Sequence, residues 1–153
     1  MYERVFGLVN ENQIMSRVKK TSKLSIAKTQ RKLWVLCKLL IRKKYQNPNG
    51  TWNCYTCDKL ITYGRDAHTA HLIPKSACGA YLKYDTRNLR VCCYHCNINL
   101  GGNGAEFLRK MIIREGQSYV DNIFEDKKEI IKGHDHYLML TEKYQLELEG
   151  LER

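Results

Sequence analysis

Apolar positions in this chain follow a helical period at both ends and fall into short, interrupted runs between them. Leu33, Leu36, Cys37, Leu40 and Ile41 share one helical face and predict a helix from roughly Ser25 to Tyr45. Before it, residues 1 to about 20 carry only weak periodicity and are expected to form a partly ordered arm. Asn47-Pro48-Asn49-Gly50 is a turn signal. Ile61 to Ile73 fits a strand that Pro74 ends, because proline cannot donate to a ladder. A loop rich in small residues follows up to Thr86, then a short strand over Asn88 to Val91. A short helix is expected near Asn97, broken at Gly101-Gly102.

Helical spacing then returns. Phe107, Leu108, Met111 and Ile112 form one stripe, with Gly116 as its C-cap. Ser118 is the expected cap of a further helix to about Lys132, with Val120, Ile123, Phe124, Ile130 and Ile131 as its apolar residues. After Gly133, the residues Tyr137, Leu140, Tyr144, Leu148 and Leu151 mark a last amphipathic helix. The expected class is α+β: a small core at 47–104, an N-terminal helix and arm at 1–46, and a C-terminal helical extension at 105–153.

Charge narrows the partners. The 153 residues carry a net charge of +10 with a pI near 9.3, which favours a polyanion. Eleven basic and no acidic residues lie between Arg17 and Lys44, whereas Asp135 to Arg153 is predominantly acidic. Arg31, Lys32, Lys38, Arg42, Lys43 and Lys44 interleave with the apolar face of the first helix. They form either an ordinary solvated flank or one that tracks a DNA backbone. Lys75 and Arg87 add candidate DNA contacts within the core. No signal peptide and no stretch of roughly 20 apolar residues is visible, so a reduced, cytoplasmic protein is expected.

Cysteine spacing is the most specific signal. Cys54-x-x-Cys57 and Cys93-x-x-Cys96 are two knuckles 35 residues apart, and each can turn two thiolates toward one zinc ion. Cys93 is preferred over Cys92 because only it gives the x-x spacing. A closed four-thiolate site is structural, so chemistry must come from elsewhere. Around the knuckles stand the parts of a metal-dependent phosphodiesterase, which needs a neutral imidazole to take a proton from water and a hard divalent cation such as Mg²⁺ or Mn²⁺. His71 and Asn97 meet there if strand and helix pack together, as zinc held by Cys96 would enforce.

The A-H-L-I-P-K-S run, D-T-R-N-L-R-V and H-C-N-I-N-L-G-G-N, in that order, resemble HNH (ββα-metal) nucleases of the phage NinG (Rap) recombination type, over roughly Trp34 to Phe124. The resemblance implies a zinc-stapled ββα-metal core. It makes His71 the general base, Asn88 the residue that holds the loop behind it, and Asn97 a ligand of the catalytic metal. It also implies an endonuclease acting on branched recombination or replication DNA in a phage-infected bacterial host. Many relatives place Asp or His just before the base, where this chain has Ala70. His68, two residues back on the same strand face, and Asp66 by the same parity are the candidate replacements. Two other readings stand beside the nuclease: a zinc-containing DNA-binding module without catalysis, and a recombination accessory protein using its acidic C-terminal helix. A homodimer through the terminal helices would suit cleavage of two strands.

Overall fold

The computed structural model describes residues 10–21, 25–129 and 133–152. Ile130 and Ile131, expected on a helical face, lie outside them, as does most of the N-terminal arm up to Val9. The chain clusters into two compact units, Met1–Lys43 with Lys132–Arg153 and Lys44–Ile131. This grouping cuts the chain differently from the expected division. The helices after residue 104 are shared between the units instead of forming one extension.

The first unit is helical. Helix α1 (Glu11–Thr21) occupies what the sequence suggested was a loose arm. It packs on the C-terminal helix, and the Arg17 guanidinium donates to both carboxylate oxygens of Glu149 at 3.1 Å. The basic N-terminal region and the acidic tail therefore partly neutralise one another within one unit. Helix α2 (Ile26–Lys44) buries Leu33, Leu36, Cys37, Leu40 and Ile41, the face marked by its apolar spacing. Near its start, Thr29 is buried and its hydroxyl lies 2.7 Å from His134 Nε2.

The second unit holds the expected core. Strands β1 (Trp52–Asn53) and β2 (Leu60–Ile61) form a short antiparallel hairpin around the first knuckle. Strand β3 (His68–His71) pairs with β4 (Leu89–Cys92) in a second hairpin, with His68 opposite Cys92, Ala70 opposite Arg90 and His71 opposite Leu89. The expected continuous strand from Ile61 is interrupted by a 3-10 turn at Gly64–Asp66, closed by bonds from Asp66 N to Tyr63 O and Ala67 N to Gly64 O. Between β3 and β4 the expected loop contains a five-residue helix, α3 (Gly79–Lys83), which buries Leu82. So short a helix leaves almost no periodic signal.

Beyond β4, a wide π-type turn spans His95–Asn99, and Gly101 and Gly102 end it with φ of +58° and +93°. Helix α4 (Gly104–Glu115) buries Phe107 and Met111 and stops at Gly116, whose φ is +97°. Helix α5 (Gln117–Asp126) starts one residue before the expected cap, Ser118, and ends short of Lys132. It packs against α3 and α4 and buries Val120 and Ile123, while Phe124 stays exposed. The last helix, α6 (Asp135–Leu151), buries Tyr137, Tyr144 and Leu148 as its spacing requires. No helix among the described residues is long and apolar enough to cross a membrane.

One buried cation ties the second unit together. Arg90 is only 2% exposed on β4. Its Nη1 donates to the carbonyls of Leu89, Arg87 and Thr86, and its Nη2 to Glu115 Oε1 at 2.9 Å. The guanidinium lies over the rings of Tyr45, Tyr55 and Tyr119 at 5.3, 5.3 and 5.8 Å. Truncating it would orphan several acceptors and three ring faces at once. Arg90→Ala is therefore expected to destabilise this unit by about 3 kcal/mol, read as a lowered urea midpoint by circular dichroism. A loss below about 0.5 kcal/mol, the scale of an exposed ion pair, would show that the cation is dispensable to the fold.

Candidate active site and metal centre

The two Cys-x-x-Cys segments converge because two hairpins meet. The first knuckle closes on itself through Cys54 N to Lys59 O and Asp58 N to Cys54 O, at 2.8 and 2.9 Å. Asp58 takes a left-handed φ of +60° there and is held by Lys110 and Arg114 of α4. Tyr55 N then donates to Val91 O at 2.8 Å, which brings the first knuckle against β4 and so against the second. The sulfurs of Cys54, Cys57, Cys93 and Cys96 all lie within 4.8 Å of one another. The gap between Cys57 Sγ and Cys93 Sγ is 3.8 Å. Four sulfurs about 2.3 Å from a tetrahedral zinc ion stand about 3.8 Å apart, so the donor set fits such an ion.

The surroundings supply hydrogen-bond donors to these sulfurs. Cys54 Sγ lies 3.3 Å from the Thr56 hydroxyl. Its thiol is pulled down to about 3, first by a hydrogen bond from Cys92 and then, against the opposing effect of burial, by Thr56. Cys92 is therefore a neighbour of the cluster and Cys93 a member, as the spacing suggested.

The candidate catalytic residues gather at the β3–β4 hairpin. His71 ends β3, and its Nε2 lies 3.0 Å from the Lys83 carbonyl at the end of α3. A carbonyl only accepts, so Nε2 carries the hydrogen and the ring's basic lone pair is on Nδ1. Burial drives the His71 pKa down to about 4, helped by the charges of Lys75 and Lys83 and opposed by the Lys83 carbonyl. The ring is thus neutral at ordinary pH. Asn88 is fully buried at the end of a 3-10 turn, Thr86–Asn88, just before β4. Its Oδ1 accepts from Ile73 N at 2.8 Å, and its Nδ2 donates to the carbonyls of Ile73 and Leu82 at 3.2 Å each. It therefore clamps the Ile73-Pro74 turn to α3, the helix whose end meets His71.

Asn97 meets a different histidine. Its side-chain Nδ2 lies 3.2 Å from His68 Nδ1, and Tyr94 packs edge-on against the His68 ring at 5.5 Å. By the pleat, His68 and Ala70 share one side of β3 while Thr69 and His71 share the other. Ala70 itself is buried beside Arg90. The parity that suggested Asp66 does not extend to it: the carboxylate sits in the 3-10 turn, exposed, with Arg65 Nε at 3.8 Å.

Of the proposed DNA-contacting cations, Arg31, Lys32 and Lys43 on α2 and Lys75 in the core are exposed, whereas Lys38, Arg42 and Lys44 are partly covered. Arg87 is already committed, donating to both Asp85 oxygens and to Asp126 at 2.6 Å. Its role is to tie the turn before Asn88 to α5. Sequence reasoning missed the Lys83 carbonyl, which as a backbone atom leaves no trace in residue type. It also missed the packing of Tyr94 on His68.

Residues 54–113 match the HNH endonuclease family. The matched segment opens at Cys54 and holds both knuckles, the hairpin and nearly all of α4, and the match supports an HNH-type domain there. No curated protein and no solved structure matches the chain significantly.

The depressed His71 pKa has a pH consequence. The unfolded chain takes up this proton near the ordinary value of 6.5 and the folded protein only near 4. Stability is therefore intact above about pH 6.5 and falls as pH drops toward 4, by up to about 1.4 kcal/mol per pH unit. Urea midpoints of wild type and His71→Gln between pH 4 and 7 test this. The variant should show a flatter profile, and parallel profiles would mean that His71 titrates normally.

Proposed function

We propose that this protein is a metal-dependent DNA endonuclease in which His71 is the general base. The observation that carries the reading is the His71 ring itself, neutral and anchored by Nε2 so that Nδ1 is the proton acceptor. A base in this state can take a proton from water as the water attacks phosphorus, leaving 3′-hydroxyl and 5′-phosphate ends. Asn88 acts at one remove, holding the turn and helix against which His71 is oriented.

Asn97 and His68 are the residues that would hold Mg²⁺ or Mn²⁺. Asn97 Nδ2 faces His68 Nδ1. A half-turn of the amide, which interchanges its oxygen and nitrogen, would let Oδ1 accept from Nδ1–H and leave the imidazole its Nε2 lone pair for a cation. Asn97 Oδ1 retains a second lone pair of the hard kind such ions prefer. A divalent cation there would supply charge neutralisation at the phosphate and at the departing oxygen. His68 thus takes up the part that Ala70 cannot play. The exposed cations of α2 and Lys75 supply phosphate contacts, which fits the net charge of +10. Branched recombination DNA and a phage setting rest on the family resemblance alone.

The decisive experiment incubates wild type, His71→Ala and the His68→Ala/Asn97→Ala double variant with plasmid and with a synthetic four-way junction, in Mg²⁺, Mn²⁺ or EDTA. Wild type should cut only with added metal. His71→Ala should lower the rate by about 10²- to 10⁴-fold with DNA binding retained. The double variant should need far more metal. Equal binding with no cutting by wild type under either metal would sink the catalytic reading and leave a DNA-binding module, with Ala70 marking the missing ligand.

A further inference from the structure

The Gly101-Gly102-Asn103 run takes no part in the proposed hydrolysis, yet its geometry is unusual. All three residues are left-handed, with φ of +58°, +93° and +50°. They turn the chain back over the second knuckle. Gly102 N donates to the Cys96 carbonyl at 3.0 Å, and Asn103 Nδ2 lies 3.8 Å from Cys96 Sγ. Asn103 also ends the turn and opens α4: its backbone N–H donates to Leu100 O at 3.0 Å, and its backbone carbonyl accepts from Phe107 N at 2.9 Å.

We propose that Asn103 is a positioning residue of the metal centre, donating an N–H···S hydrogen bond that holds the Cys96 thiolate in the tetrahedral set. A metal-bound thiolate only accepts, so the amide nitrogen faces the sulfur. The bond withdraws charge from Cys96 and fixes its direction, as the Thr56 hydroxyl does at Cys54 across the cluster. Asparagine meets two demands that few residues meet together. It tolerates the left-handed backbone better than other side chains, and it carries a donor at the right reach. Aspartate shares the first property but opposes the thiolate with a carboxylate. Glycine accepts the backbone and donates nothing. Alanine has neither the donor nor the tolerance. The inference rests on the four-cysteine centre alone and holds whether or not the chain cleaves DNA.

Zinc release from the full-length, zinc-loaded protein to a chromogenic chelator tests it, for wild type and for Asn103→Gly, Asn103→Asp and Asn103→Ala. Asn103→Gly should release zinc about tenfold faster, and Asn103→Asp faster still. In the cobalt-substituted protein the sulfur-to-metal charge-transfer band of Asn103→Gly should move to lower energy, which backbone strain would not cause. Release from Asn103→Gly at the wild-type rate overturns the proposal, even with Asn103→Ala fast, because strain would then be the whole effect. If Asn103→Gly does not fold, Asn103→Asp decides alone, and a wild-type rate there overturns it equally. A wild-type protein that binds no zinc also overturns it.

Discussion

Four sulfurs drawn to within 4.8 Å of one another set the geometry of the second unit. Its two hairpins are short, of two and four residues per strand, and hairpins of this size are marginal in water without further support. A metal ion bound by all four thiolates would supply that support by tying the tip of one hairpin to the end of the other. Cys96 is adjacent to Asn97, so the same clamp sets where the Asn97 amide reaches, and what it reaches is His68. Scaffold and candidate chemistry are thus parts of one covalent neighbourhood.

Charge does two separate jobs in this molecule. Inside the second unit, Arg90 and Arg87 act as structural cations: one is buried among tyrosine rings and carbonyls, the other is held between Asp85 and Asp126. Their positive charge is used up by neighbours and offers little to a phosphate. The exposed lysines and arginines of α2 keep theirs available. Counting basic residues does not separate the two groups, because an arginine in a polar cage and one in solvent contribute equally to the net charge.

His71 and His68 show how placement gives two histidines of one short strand different characters. Burial and a carbonyl partner leave His71 a neutral ring of fixed tautomer. His68, at the other end of β3 and partly covered like His71, faces an asparagine and a tyrosine. In the function proposed above, the first takes the proton and the second holds the cation.

Much of this was legible in the residues. Knuckle spacing marked the four clustered cysteines, because zinc chemistry constrains residue type and separation together. Apolar periodicity located α2, α4 and α6, because a buried helical face imposes a 3.6-residue repeat. The order of motifs indicated an HNH-type core, and the family match over residues 54–113 agrees. Helix α1 was not legible, because its pairing with α6 is made by Arg17 and Glu149, residues 132 positions apart. Nor were the 3-10 turn that removes Asp66 from the strand, the Lys83 carbonyl behind His71, or the choice of His68 over His71 as the partner of Asn97. Each of these follows from backbone register or from a backbone atom. Such features arise only when distant segments pack, and residue type at a single position does not encode them.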